Sequence, residues 1–219
     1  MASPNLRSSG ILSIAAGLLF GGFMFFHPAN TPQGALEDIW VPVHATWLIS
    51  YLLIICSFLP LYQAFIAARG LLPKVGYYLA FLGTVLSLPI AVWDSFVVPY
   101  LAKHAPDFIA QIEEISMETP VLVFRIVFFL TVLAFSLGFV LYGIAAVRLL
   151  SMPMLGGICL AVGAPTFWAG ALFFSQGALG NLVTEMGAVL FAIGLVSLGA
   201  TLLTKSIDGE KDSLVASRG

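Results

Sequence analysis

Five ionisable side chains in this sequence lie at the ends of apolar segments, where they could carry out chemistry. Ionisable groups inside a membrane span are costly and usually face the protein interior or a water-filled cavity. Counting about 1.5 Å per helical residue from recurring glycine and leucine positions places all five at one depth, near the outer edge of the hydrocarbon core. They come from five predicted spans and could converge in a compact bundle. They are His27, His44, Asp94, Arg125 and Glu185.

Metal binding is the first chemistry that this group could support. Two histidines with carboxylates form an ordinary ligand set for Zn²⁺ or another transition metal. Because only a short loop separates His27 from His44, both imidazoles could reach one ion. Glu37 or Asp38, and then Asp94 or Glu185, could complete the ligand set. The alternative cofactor is haem, which would need His27 to face His44 or His104 near the outer surface.

Asp94, Glu185 and Arg125 are the candidate catalytic residues. With a metal present, the chemistry they favour is hydrolysis of a lipid-like substrate at the outer leaflet by metal-bound water. Arg125 would then orient a carboxylate or an anionic head group. The structural alternative is an ion pair between Asp94 and Arg125 that holds the third and fourth spans together, because a buried carboxylate needs a counter-charge.

The elements that carry these residues are membrane spans. The chain has 219 residues, of which 60% are hydrophobic and 9% charged, whereas soluble domains are roughly half apolar and about a quarter charged. This composition excludes a water-soluble fold, a disordered chain and a disulfide scaffold. Since a spanning helix needs about 20 apolar residues, the sequence predicts an all-α bundle of six spans, at 10–27, 44–68, 75–99, 121–148, 152–174 and 180–204.

The basic residues predict the orientation of the bundle. With both termini in the cytoplasm, only Lys103 and Arg125 of the nine basic residues lie on the outer side, which agrees with the positive-inside rule. Residues 1–205 then form the bundle, 103–120 an outer interfacial segment, and 206–219 a polar cytoplasmic tail. Trp40 is expected in the aromatic belt at the membrane surface.

A glycine repeat predicts how the spans pack. Residues seven apart on a helix lie near one face, and small residues on that face let helices approach closely in lipid. A second similarity, between residues 61–62 and 141–142, suggests three hairpins made of consecutive spans. The glycine pairs of the first, third and fifth spans are Gly10 and Gly17, Gly76 and Gly83, and Gly156 and Gly163.

Several functional classes follow from these features. The net charge of −2 argues against nucleic acid as a partner, and the lack of a phosphate-binding loop argues against a nucleotide-driven pump. The first hypothesis is a polar site that opens to the outer face and acts on a lipid-like or small substrate. The alternatives are an accessory or scaffold subunit of a larger membrane complex, in contact with other membrane proteins or a second copy, and a small-solute transporter.

Three short motifs carry a resemblance to a known group of proteins. They are FHP at 26–28, VPVH at 41–44 and DSFVVPYLA at 94–102. Together with the spans, they resemble a loose group of uncharacterised bacterial multi-pass membrane proteins. The resemblance implies a bacterial inner-membrane location and no particular mechanism, so it leaves open whether the chain is an enzyme.

Overall fold

The chain folds as a bundle of membrane-spanning helices. A computed structural model describes residues 4–107, 119–173 and 178–216, and no strand occurs among them. Six helices are long and apolar enough to cross a membrane, so the predicted all-α, six-span architecture is confirmed and the chain is a multi-pass membrane protein. These spans are Leu6–Phe26, Trp40–Ile66, Leu71–His104, Val121–Leu150, Met154–Phe173 and Asn181–Ser206.

Several spans contain short changes of helix type. The first span is an α-helix over Pro4–Gly22 that tightens into a 3₁₀ turn over Phe23–Phe26. The others are α-helical over the following segments: Trp40–Phe58 and Tyr62–Ile66, Leu71–Val92 and Val98–His104, Thr119–Leu150, Met154–Phe173, and Ala178–Ala216. A 3₁₀ turn over Leu59–Leu61 and a π turn over Trp93–Val97 join the two parts of the second and third spans.

The helices differ from the predicted spans mainly at their ends. The second begins at Trp40, before the predicted start at residue 44, and the sixth continues to Ala216 through most of the predicted tail. Most of the predicted interfacial segment 103–120 lies outside the described residues. The membrane orientation of the two termini stays a prediction.

The six spans form a closed ring. Each span contacts the next one along the chain, and the first contacts the sixth. The most extensive contacts join the fifth span to the sixth, the first to the sixth, and the third to the fourth. Because consecutive spans run in opposite directions, the start of the first span and the end of the sixth lie at one end of the bundle, called here the terminal end. The opposite end is called the cavity end.

The repeated glycines lie where helices approach most closely. A Cβ atom at Gly83 would collide with the backbone of Phe135, and one at Gly163 would collide with the backbone of Phe191. The prediction that these glycine faces permit close packing is therefore confirmed. Gly17 in the first span instead backs onto Ala192 of the sixth, so this pair does not face the second span. The arrangement as three hairpins stays a prediction.

Candidate functional site

A cavity of about 290 Å³ opens at the cavity end of the ring. All six spans and the loop after the first contribute to its wall. Among the described residues, the wall includes every tryptophan of the chain, two of its three histidines and one carboxylate. These residues are Trp40, Trp47, Trp93, Trp168, His27, His44 and Asp94.

His27 lies just beyond the first span because the chain leaves the helix there. Proline disfavours helical backbone in the residue before it, and His27, which precedes Pro28, is extended with φ −70° and ψ 120°. The His27 Nδ1 atom lies 2.6 Å from the Pro28 carbonyl oxygen. Burial lowers the pKa of the His27 imidazole, and the contact with Pro28 acts against this shift.

His44 lies in the first turns of the second span and meets His27 across the cavity wall. Its Nδ1 atom is 2.9 Å from the carbonyl oxygen of Trp40, one helical turn earlier. The Nε2 atoms of His27 and His44 are 3.2 Å apart. Both imidazoles are thus held by backbone carbonyls, with their Nε2 atoms directed at each other.

Trp40 connects the histidine pair to Asp94. Its ring stacks on the His44 imidazole with the centroids 4.1 Å apart, and its indole N–H donates to the Asp94 backbone carbonyl at 2.7 Å. Trp40 is only 2% exposed. The expectation that Trp40 lies in the interfacial belt is therefore wrong, because its ring packs between the second and third spans instead of facing the lipid.

Asp94 lies in the π turn of the third span. Pro99 has no N–H to donate to the Ser95 carbonyl, and its ring crowds that carbonyl, which explains why the helix widens over Trp93–Val97. Such π segments often occur at functional sites. Asp94 is half-buried and lines the cavity. Among the described residues, no group hydrogen-bonds to its carboxylate or pairs with it.

The other predicted site residues lie elsewhere. Arg125 and Glu185 are half-buried and described, and neither lines the cavity. The alternative of an ion pair between Asp94 and Arg125 is also absent from the structure. Equal depth along the membrane did not bring these two residues to the site, because their helices direct them away from the cavity.

The predicted metal ligands do not form a three-ligand group. Within the part of the chain that the structure describes, no set of three or more His, Cys, Asp and Glu side chains could hold a metal ion. Trp40 lies between the histidines and Asp94, stacked on His44 and bonded to the Asp94 backbone. The separation of 3.2 Å between the two Nε2 atoms is also too short for a haem iron with both imidazoles as opposite axial ligands.

Several lining residues were not found from the sequence. Trp47 and Trp168 both line the cavity, and the indole N–H of Trp168 is buried with no hydrogen-bond partner among the described residues. Asn30, Asn181 and Thr184 add uncharged polar groups. One signal was available: all four tryptophans lie toward the same ends of their spans as His27 and Asp94.

Comparison with known proteins adds no identity to this site. No family model, curated protein or solved structure matches the chain. The resemblance to bacterial multi-pass membrane proteins therefore stays a prediction.

Proposed function

We propose that the cavity binds a small organic cation, a protonated amine or a quaternary ammonium group, with Asp94 as its counter-ion. One observation carries the proposal: a single cavity gathers all four tryptophans around Asp94, whose carboxylate has no partner among the described residues. The faces of tryptophan rings attract cations, and aromatic cages are the usual sites for quaternary ammonium groups. An unpaired carboxylate in an apolar wall is stabilised when a cation enters beside it.

The size of the cavity limits the ligand. Pockets for drug-sized molecules measure about 300–1,000 Å³, and this one is at the lower limit, at about 290 Å³. A whole lipid would not fit, but an ammonium head group or a free small amine would. Asn30, Asn181 and Thr184 could orient a hydroxyl or a similar polar group on such a ligand.

The location of the site in the cell is part of the same proposal. The predicted inner-side residues Arg7, Arg69, Lys74, Arg148 and Lys205 belong to the terminal end, so the positive-inside rule would place the cavity end on the outer face. In a bacterial inner membrane, the cavity would then sample the outer aqueous space or the outer leaflet.

Transport of the cation is the second candidate function. The observation that favours transport is that all six spans, arranged as a closed ring of helices, enclose the cavity. Movements of these helices relative to one another could therefore change access to the cavity. An accessory or scaffold subunit would not need a cavity with these groups. Metal-assisted hydrolysis is not part of the proposal, because the described residues offer no three-ligand metal site.

Tryptophan fluorescence tests the proposal directly, since every tryptophan of the chain lines the cavity. The protein is purified in a maltoside detergent and titrated with tetramethylammonium and with choline. We expect a saturable change for both, and no change for 3,3-dimethylbutanol, the uncharged isostere of choline. A matched sodium chloride titration corrects for ionic strength. An equal response to the uncharged isostere would contradict the proposal.

Asp94→Asn provides the matching variant. Removing one partner of a desolvated charge pair is strongly unfavourable, so we expect binding of tetramethylammonium to weaken by at least about tenfold. Asp38→Asn is the control, because Asp38 is exposed and does not line the cavity. Unchanged binding in Asp94→Asn would show that Asp94 is not the counter-ion.

Lipid composition distinguishes the two sources of the cation. In nanodiscs of phosphatidylcholine, a head-group site would already be occupied, and the response to tetramethylammonium would be lost relative to nanodiscs of phosphatidylglycerol. A site for a free amine would respond equally in both.

A further inference from the structure

We propose that His27 and His44 together hold one excess proton between their Nε2 atoms, and that this proton and the organic cation exclude each other from the cavity. The second part rests on the proposed function. The first part rests on the histidine pair alone. Binding of the cation would then release one proton to the surrounding water, so that the site exchanges one positive charge for another.

A count of ring protons supports the excess proton. The carbonyl oxygens of Pro28 and Trp40 can only accept hydrogen bonds, so both Nδ1 atoms must carry hydrogens in these contacts. Two neutral imidazoles carry two ring N–H groups in total, and both are thereby used. The Nε2 atoms would then face each other with lone pairs at 3.2 Å. A third proton converts this repulsive contact into an N–H···N hydrogen bond of ordinary length.

A metal ion is the other species that could lie between two lone pairs. Histidine ligands of metals often donate their second ring N–H to a backbone carbonyl, as both histidines do here. A stable metal site needs further ligands, however, and no third His, Cys, Asp or Glu joins the pair among the described residues. The proton needs no further ligand, and the metal is therefore an outcome for the experiment to distinguish.

The cavity wall explains why proton and cation would compete. Among the described residues, Asp94 is the one titratable group that faces the cavity besides the two histidines. Arg125, Glu185, Glu37 and Asp38 are described and do not line it. The remaining wall residues that the structure describes are uncharged.

Two positive charges in this small cavity would therefore share a single carboxylate. Their repulsion makes each ligand weaken the binding of the other, and the two effects are equal by thermodynamic linkage. Burial lowers the pKa of His27, whereas a proton shared between the two Nε2 atoms relieves their lone-pair contact. The cation-binding state is then the neutral pair, and affinity for the cation falls as the pH is lowered through the titration of the pair.

The ring stacked on His44 reports whether the pair titrates. A protonated imidazole quenches an adjacent indole, and the Trp40 and His44 centroids are 4.1 Å apart. In the absence of any cation, we expect the fluorescence of the wild-type protein to fall in a one-proton transition as the pH is lowered. His44→Gln should abolish this transition, and His27→Gln should abolish or displace it.

Two controls identify the titrating group. His104→Gln should keep the transition, because the exposed His104 is outside the cavity. Asp94→Asn should also keep it, since the proposed proton is on the histidines. Persistence of the transition in His44→Gln, or its loss in Asp94→Asn, would overturn the assignment. Restoration of the low-fluorescence state by added Zn²⁺ after EDTA treatment would show that the pair holds a metal instead.

The pH dependence of cation binding tests the exclusion. Below the midpoint of the transition, one competing proton weakens tetramethylammonium binding by about tenfold per pH unit. The slope of the logarithm of tetramethylammonium affinity against pH should be smaller by one proton in His44→Gln. The same slope in His104→Gln should match the wild type. Equal slopes in all three proteins would refute the coupling. A fluorescence transition without any cation binding, in contrast, would leave the proton site intact and refute the proposed function.

Discussion

The two ends of the bundle contain the same kinds of side chain packed in opposite ways. Toward the terminal end, the ring of Tyr142 stacks between Phe58 and Phe65, with centroids 4.7 Å and 4.6 Å away, and all three residues are fully buried. At the cavity end, aromatic rings enclose about 290 Å³ of space. The histidine pair and Asp94 also occur only at this second end. Filling by aromatic rings stabilises a fold, whereas incomplete filling around polar groups provides a site.

The largest expected effect on stability comes from removing an aromatic ring from the packed core at the terminal end. Tyr142→Ala removes the ring between Phe58 and Phe65 and should lower the free energy of unfolding by about 3–5 kcal/mol. Thermal denaturation in detergent measures the change. Phe128→Ala, in the half-buried wall of the cavity, should cost clearly less because space already exists beside it. Equal costs at the two ends would remove the distinction between them.

Tyr142→Phe is the control that keeps the ring. The Tyr142 hydroxyl is buried, and the described residues offer it no hydrogen-bond partner. A buried hydroxyl without a partner costs free energy. The phenylalanine variant should therefore be as stable as the wild type or more stable, which separates the contribution of ring packing from that of the hydroxyl.

An intermediate effect is expected from the glycine contacts between the helices. Gly163→Ala places a Cβ atom against the backbone of Phe191, which must move, and overpacking of this kind costs about 1–3 kcal/mol. Gly22→Ala is the matched control, because nothing lies within 4 Å of a Cβ atom there. Alanine in place of helical glycine should stabilise by about 0.5–1 kcal/mol. Changes of opposite sign in the free energy of unfolding of the two variants would show that the close helix contact at Gly163, and not the number of glycines, determines the effect on stability.

The spans and the glycine faces could be predicted because they depend on local sequence. Hydropathy over about 20 residues identifies a span, and a spacing of seven places Gly76 and Gly83 on one face. The same spacing does not identify the helix that a face meets. Gly10 and Gly17 pack on the sixth span, and that contact depends on closure of the whole ring.

The site could be predicted only in part, for a related reason. Residue counting gives depth along the membrane, and His27, His44 and Asp94 do line one cavity. It does not give the rotation of each helix about its own axis, which is decided by packing with neighbouring helices. Arg125 and Glu185, at the same predicted depth, lie off the cavity for that reason. The aromatic wall was missed because rotation also decides whether a tryptophan faces lipid or the interior.

The smallest expected effect is on the free energy of unfolding, which the unpaired carboxylate at the cavity end should lower. Asp94 has no counter-charge among the described residues, and a desolvated polar group without a partner is unfavourable. In the absence of ligand, Asp94→Asn should therefore raise the free energy of unfolding by about 1 kcal/mol, while the exposed Asp38→Asn should change it by less than about 0.5 kcal/mol. Lower stability in Asp94→Asn would mean that the carboxylate holds the helices together. Higher stability with loss of tetramethylammonium binding would mean that the carboxylate is kept for a ligand.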